Sequence, residues 1–248
     1  MILVSQTHPP IILFDFDGVI ITHTSLELAA LKQLKNKWYN WKNTENMRLI
    51  DFARIFEQSD SKNKRKAFTG INRSYKNIIP NYFKRWFFFV RFRLDYPKLE
   101  KIYDTLKPNL EDTLKLFKEN RFPMGIVSNT GKERLEYFST KFELDNYFSV
   151  LFSRSDTEIR KPSPYPIILA LKTIKEKFNL PKIDKSMVYY IGDLPSDIIC
   201  ANAAGINSVA TISGHGLKED LVAENPTLVI NEIKDLLKVE KIKKFLKK

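Results

Sequence analysis

Cysteines and long apolar runs are scarce in this sequence, and their scarcity limits what the chain can be. The 248 residues include one cysteine, Cys200, so neither an internal disulfide nor a cysteine metal cluster can form. No apolar run approaches the roughly 20 residues that cross a bilayer. The N-terminus also has no basic residue ahead of its apolar stretch, as a signal peptide would have. We therefore expect a cytoplasmic protein with no membrane partner.

Acidic residues are scarce in one part of the chain. Residues 20–100 hold 17 Lys and Arg against 7 Asp and Glu, in a chain of net charge +12. A basic surface of this kind attracts anionic substrates, although a solvated lysine-rich surface is an equally good interpretation. The same stretch contains Trp38, Tyr39, Trp41 and Trp86, so nucleic-acid binding is a third hypothesis.

The order of apolar segments predicts the fold class. Hydrophobic residues make up 43% of the chain, which supports a packed core. After residue 108, short apolar runs alternate with helical periodicity, which predicts an α/β fold with a Rossmann-like parallel sheet and helices on both faces. The predicted strands there are 122–128, 147–152, 187–191, 207–212 and 228–230, and the predicted helices are 109–120, 132–141, 163–178, 196–204 and 232–246.

The basic stretch interrupts this alternation. It contains three helix-like segments, 25–37, 47–58 and 82–93, and no clear strand pattern. We therefore predict two domains. Residues 1–20 and 97–248 form the α/β core, and residues 21–96 form an all-helical domain inserted after the first strand.

Two carboxylates follow the first apolar run, Ile11–Phe14. In a strand, residues two apart share a face, so Asp15 and Asp17 can project together from its end. A divalent cation would relieve the repulsion between them, and Gly18 lets the chain turn closely beside a ligand. An ordinary turn that uses Asp for local hydrogen bonds is the alternative.

Polar residues also lie at the ends of three later predicted strands. Ser128 precedes a helix, where its hydroxyl and nearby backbone N–H groups can hold a phosphate oxygen or simply cap that helix. Lys161 could neutralise a phosphoryl group or be a surface lysine. Asp193 ends a strand and Asp197 begins the next helix, so a turn and a helix cap are the alternatives for these two. The carboxyl ends of parallel strands are where open α/β sheets bind ligands.

Together these segments resemble the haloacid dehalogenase-like hydrolase superfamily, in particular its phosphoglycolate phosphatase-like members with a helical cap. The matching segments, which agree in order and spacing, are Asp15-Phe-Asp17-Gly18-Val19, Ser128-Asn129, Lys161-Pro162 and Gly192-Asp193-x-x-x-Asp197. The resemblance covers residues 10–20 and about 105–230.

The resemblance implies a Mg²⁺-dependent phosphatase and assigns roles to the matching residues. Asp15 would attack phosphorus to form an aspartyl-phosphate, and Asp17 would act as general acid and then general base. Ser128 and the backbone N–H of Asn129 would hold phosphoryl oxygens beside Gly18, and Lys161 would offset negative charge. Asp15, the backbone carbonyl of Asp17, and Asp193 would hold Mg²⁺, supported by Asp197.

Departures from other branches of the superfamily narrow the expected chemistry. Dehalogenases and phosphonate-cleaving members lack an aspartate at the position of Asp17. Mutases of the β-phosphoglucomutase type carry a histidine ten residues after that aspartate, where this chain has Glu27, although His23 is nearby. We expect a small phosphorylated substrate and a monomer or homodimer. A sugar-phosphate mutase, a nucleotide phosphatase and a non-enzymatic nucleic-acid-binding protein remain the alternatives, and the intact catalytic set makes nucleic acid the weakest of them.

Overall fold

The computed structural model describes residues 8–34, 38 and 75–247 of the chain. These residues divide into two compact units. The core unit contains the described residues up to Thr22 and those from Leu106 onward. The helical unit contains the described residues from His23 to Thr105.

The core unit is built on a parallel six-stranded sheet. Its strands are β1 (Ile11–Phe14), β2 (Met124–Val127), β3 (Val150–Phe152), β4 (Val188–Gly192), β5 (Asn207–Thr211) and β6 (Leu228–Ile230). Their spatial order is β3-β2-β1-β4-β5-β6, and every neighbouring pair is parallel. Strands β2 and β3 therefore lie on one side of β1, and strands β4, β5 and β6 lie on the other side of β1.

From α3 onward the described α-helices alternate with these strands, as the periodicity predicts, although α7 is not among the predicted helices. They are α1 (Thr24–Leu34), α2 (Tyr82–Tyr103), α3 (Leu110–Glu119), α4 (Lys132–Lys141), α5 (Tyr165–Lys177), α6 (Pro195–Ala204), α7 (Lys218–Ala223) and α8 (Glu240–Lys243). Short 3₁₀ turns occupy Tyr75–Asn77, Leu144–Asn146, Lys185–Met187 and Ile233–Lys238.

Alternate residues of β1 pack on opposite faces of the sheet. Ile12 and Phe14 join a cluster with apolar residues of α3 and α4, whereas Ile11 and Leu13 join a cluster with residues of α5 and α6. All four β1 side chains are fully buried. The sheet is thus covered by helices on both faces, which confirms the predicted fold class.

The helical unit consists of helices and turns in its described part, with α1 packed against α2. The predicted helix 25–37 corresponds to α1, and its last three residues lie outside the described residues, as does the predicted helix 47–58. Asn81 caps α2 by accepting a hydrogen bond from the backbone N–H of Lys84 at 3.0 Å. Among the described residues, no helix combines the length and apolarity needed to cross a membrane.

Two predicted boundaries differ from the structure. Helix α2 continues through Pro97 to Tyr103, so the division predicted between residues 96 and 97 falls inside a helix. The predicted helix 232–246 forms two short helical pieces, because the backbone at Val239 is extended. The first piece begins where the carboxylate of Asp235 accepts a hydrogen bond from the backbone N–H of Glu232.

Candidate active site

The candidate site lies where the order of strands reverses. Asp15 directly follows β1 and Asp193 directly follows β4, and these two strands are neighbours in the sheet. The backbone N–H of Asp15 donates to the carbonyl of Ile191 at 2.8 Å, which continues the strand pairing to the site. A reversal of strand order opens a crevice at the carboxyl edge of a parallel sheet, so this geometry is suited to ligand binding.

Lys161 is the centre of a buried charged cluster. Its Nζ lies 2.8 Å from Oδ1 of Asp15 and 2.6 Å from Oδ1 of Asp197. It also donates to the hydroxyl of Tyr190 at 2.8 Å, and that hydroxyl donates to the carbonyl of Val127 at 2.8 Å. Because Lys161 is only 7% exposed, the alternative that it is a surface lysine is wrong.

The surroundings of this cluster shift the pKa values of Asp15 and Lys161. Burial raises the pKa of Asp15 to about 7, although the charge of Lys161 acts in the opposite direction. Burial opposes the charge on Lys161, but Asp15 and Asp197 outweigh it and raise the pKa of that ammonium group. In the protein without a bound cation, Asp15 is therefore a much weaker acid than an exposed aspartate, whose pKa is about 4.

Asp193 lies in a close-fitting pocket formed by backbone and glycines. Its Oδ2 accepts from the backbone N–H of His215 at 2.7 Å. Gly18 has φ of +74°, and a side chain there would collide with the carboxylate of Asp193. His215 is buried with Nδ1 3.5 Å from the same oxygen, consistent with a residue that stabilises the loop.

Asp197 connects the loop after β4 to Lys161. Its Oδ2 accepts from the backbone N–H groups of Asp193 at 3.2 Å and Leu194 at 3.0 Å, which is the predicted helix cap. Its Oδ1 accepts from Lys161, so the same carboxylate caps α6 and belongs to the charged cluster.

Three buried carboxylates in this site could share a cation. One oxygen each from Asp15, Asp193 and Asp197 lie within 4.8 Å of one another. Lys161 contacts only two of these three carboxylates, Asp15 and Asp197, and oxygen ligands of this kind suit a hard divalent ion. The side chain of Asp17 is outside this group. Its expected contribution, a backbone carbonyl, stays a prediction.

Ser128 and Asn129 follow β2 as predicted. Ser128 is buried, and its hydroxyl accepts from the backbone N–H of Thr130 at 3.2 Å. The amide side chain of Asn129 makes two hydrogen bonds with the backbone of Lys161, donating to its carbonyl at 3.2 Å and accepting from its N–H at 3.3 Å. Asn129 thus joins the two loops that supply the predicted phosphate contacts.

The carboxylate of Asp17 contacts a different cation from that of Asp15. Oδ1 of Asp17 accepts from a guanidinium N–H of Arg134, which lies in α4. The side chains of Asp17 and Arg134 remain 23% and 15% exposed. Asp15 and Asp17, only two residues apart in the sequence, therefore contact different cations and differ in burial.

Residues 12–211 match the model of the haloacid dehalogenase-like hydrolases. The chain belongs to this family. It is 32% identical over 158 residues to PpaX of Caldanaerobacter subterraneus, provisionally named a pyrophosphatase, covering 63% of this chain and 69% of that protein. It is 30% identical over 132 residues to a phosphoglycolate phosphatase of Photorhabdus laumondii, covering 53% of each.

Solved structures support the fold of this hydrolase. A protein of Haemophilus somnus, provisionally named a phosphoglycolate phosphatase, superposes with a TM-score of 0.68 at 20% identity over 94% of this chain and 99% of its own. One of Thermotoga maritima, provisionally named a β-phosphoglucomutase, gives 0.66 at 18% identity over 94% of this chain and 98% of its own.

Two residues that contact the candidate site are absent from the sequence-based prediction. Tyr190 is hidden in an apolar strand, where its alternation with Tyr189 across the sheet is the only signal that it faces Lys161. Arg134 is one of many helical cations, and its partner lies 117 residues away in the chain. Cys200 is a buried thiol, with Sγ 3.0 Å from the carbonyl of Ser163.

Proposed function

We propose that this hydrolase is a Mg²⁺-dependent phosphatase that cleaves a small phosphomonoester through a phosphoryl group on Asp15. The observation that carries the proposal is the buried contact between Asp15 and Lys161 at the carboxyl edge of the sheet. In such a pair, the carboxylate can act as the nucleophile and the ammonium group supplies positive charge that stabilises a phosphoryl transition state.

In the first proposed step, a carboxylate oxygen of Asp15 attacks phosphorus while the bond to the leaving oxygen breaks. Asp17 gives its proton to that oxygen, so the alcohol departs neutral. Ser128 and the backbone N–H of Asn129 bind the phosphoryl oxygens. In the second step, Asp17 takes a proton from water, the water oxygen attacks phosphorus, and inorganic phosphate leaves the regenerated carboxylate of Asp15.

The residues present fit the expected cation. Asp15 and Asp193 supply buried carboxylate oxygens, Asp17 would add its backbone carbonyl, and Asp197 would support them from its bonds to the loop after β4. When bound, Mg²⁺ supplies positive charge that offsets the carboxylates and the transferring phosphoryl group. Burial that raises the pKa of Asp15 supports a site that needs a further positive charge to keep this carboxylate ionised at neutral pH.

The names of the curated relatives include both a phosphoanhydride substrate, pyrophosphate, and a phosphate ester, phosphoglycolate. Curated relatives named phosphoglycolate phosphatase match about half of this chain, so their substrate is carried over here only as a proposal. Residue Glu27, where β-phosphoglucomutases carry histidine, favours water over a second sugar hydroxyl as phosphoryl acceptor. We further propose that the helical unit acts as the cap that selects the substrate.

The deciding experiment measures phosphate release from phosphoglycolate, sugar phosphates, nucleotides and pyrophosphate, with Mg²⁺ and with EDTA. We expect Mg²⁺-dependent release that Asp15→Asn lowers about a thousandfold or more. Rapid acid quenching and mass spectrometry should find the phosphoryl group on Asp15. Asp145→Asn, a change at an exposed aspartate of the core unit, should retain activity.

Other outcomes would reject this proposal in distinct ways. Full activity in Asp15→Asn would exclude the aspartyl-phosphate mechanism. Conversion of a sugar phosphate to its isomer without phosphate release would identify a mutase. No turnover together with salt-sensitive binding of RNA or DNA would favour the nucleic-acid alternative.

A further inference from the structure

Arg134 contacts the carboxylate of Asp17 directly. Its guanidinium donates to Oδ1 of Asp17 and lies 3.4 Å from the hydroxyl of Thr130. The contact joins the first turn of α4 to the loop after β1, two segments far apart in the sequence. A charge-assisted hydrogen bond of this kind is short and directional, so it restricts where the carboxylate can point.

The guanidinium is itself held in place by two buried rings. Its central carbon lies 5.5 Å from the ring centroid of Phe16 and 5.1 Å from that of Phe138. Both rings are fully buried, and their centroids lie 6.2 Å apart. An arginine stacked against packed rings loses little further freedom when it forms a hydrogen bond, so it can orient its partner.

We propose that Arg134 is a positioning residue that holds Asp17 for proton transfer to the leaving oxygen, an inference that rests on the proposed phosphatase function. Because Arg134 donates to Oδ1, the acid form of Asp17 would carry its proton on Oδ2, and this proton moves to the leaving oxygen as the bond from that oxygen to phosphorus breaks. Such a transfer requires hydrogen-bond reach between the two oxygens, and a small displacement of the acid slows it steeply. The rings of Phe16 and Phe138 position Arg134, and Arg134 positions Asp17.

The leaving group provides a readout that a general loss of structure would not change. An alkyl phosphate needs a proton on its departing oxygen, whereas 4-nitrophenyl phosphate releases a stable anion that needs none. We therefore compare kcat/KM for 4-nitrophenyl phosphate with that for the best alkyl substrate among phosphoglycolate and the sugar phosphates. Arg134→Met retains an apolar stem against the rings and removes the charge.

We expect Arg134→Met to lower kcat/KM for the alkyl ester about a hundredfold and for the aryl ester only about threefold. Arg134→Lys should restore part of the alkyl activity. Lys141→Met is the matched control, because Lys141 lies on the same helix with Nζ 5.5 Å from the centroid of the Phe138 ring. Lys141→Met should leave kcat/KM unchanged for both the alkyl and the aryl ester.

A double-mutant comparison separates this inference from the proposed function. With Asp17→Asn in place, Arg134→Met should cause little further loss, because there is no acid left to position. Equal losses on both esters, or additive losses in the double variant, would overturn the positioning role while Asp15→Asn still reports on the phosphatase. An Asp17→Asn variant that treats both esters alike would instead contradict the acid role within the proposed function.

Discussion

Two carboxylate–cation contacts in the core unit have the same chemical components and differ in their surroundings. The contact between Asp15 and Lys161 is almost fully buried and includes Asp197 and Tyr190, whereas the contact between Asp17 and Arg134 is partly open to solvent. A buried group with several partners cannot move without breaking all of them. The difference suits a fixed nucleophile in one place and a proton carrier that meets substrate and water in the other.

The largest effect that would test this comparison is on stability. Lys161→Met leaves Asp15 and Asp197 buried without their cation, so we expect the free energy of unfolding to fall by about 3–5 kcal/mol. Arg134→Met should cost about 1 kcal/mol or less, because its ion pair is partly solvated and the methionine keeps the contact with the rings. Urea unfolding in EDTA measures both, and similar losses would show that burial does not distinguish the two contacts.

A smaller effect is expected in the pH dependence of the cation-free protein. The pKa of Asp15 rises from 3.8 when unfolded to about 7 when folded, so the folded state keeps a proton that the unfolded chain has released. This contribution to stability is present below the lower value and is lost as pH rises toward the higher one. We expect the free energy of unfolding to fall between about pH 5 and about pH 7, by at most ~1.4 kcal/mol per pH unit for one proton.

The control for this measurement is a pair of aspartate variants. Asp15→Asn cannot ionise, so its free energy of unfolding should depend less on pH over the same interval, whereas Asp145→Asn should keep the wild-type slope. Identical slopes in all three proteins would mean that burial does not hold the proton on Asp15.

The smallest effect concerns one hydroxyl of the buried cluster. Tyr190→Phe removes a partner of Lys161 and of the carbonyl of Val127, so we expect the free energy of unfolding to fall by about 1 kcal/mol and kcat to fall as well. The neighbouring Tyr189 is the matched control, because its hydroxyl makes no hydrogen bond within the described part of the chain. Tyr189→Phe should change unfolding and turnover little, and an equal effect of the two variants would argue against a special role for Tyr190.

The core elements could be predicted because each buried strand must be apolar on both faces. Helix α4 and strand β6 have the predicted bounds, and most other core elements begin or end within a few residues of their own predicted bounds. The second predicted domain boundary differs from the structure because α2 continues beyond the predicted segment 82–93 and passes through Pro97, although proline usually interrupts a helix. The predicted helix 232–246 is interrupted because the backbone at Val239 is extended, a feature that leaves no mark in a helical pattern of apolar residues.

The site could be predicted only in part, for a related reason. Asp15, Ser128 and Asp193 each follow a parallel strand, and parallel strands end at one edge of the sheet, so sequence order implies their convergence. No such rule connects Arg134 to Asp17, because that contact depends on how α4 packs against the loop after β1. The protonation of Asp15 was also beyond the sequence, since it depends on burial.

Contacts within each unit hold together the chain segments at the start and at the end of the helical unit. In the core unit, Ile21 and Leu106 form an antiparallel bridge, and the N–H of Lys107 donates to the carbonyl of Ile20 at 2.9 Å. In the helical unit, the backbone N–H and hydroxyl of Ser25 donate to the two carboxylate oxygens of buried Asp104 at 2.8 and 2.7 Å.

A segment whose first and last residues are held together can change in length or be exchanged with little cost in loop-closure entropy. The chain therefore carries its helical unit as an exchangeable module. A transplant cut between Thr22 and His23 and between Thr105 and Leu106 would preserve the contacts at both ends.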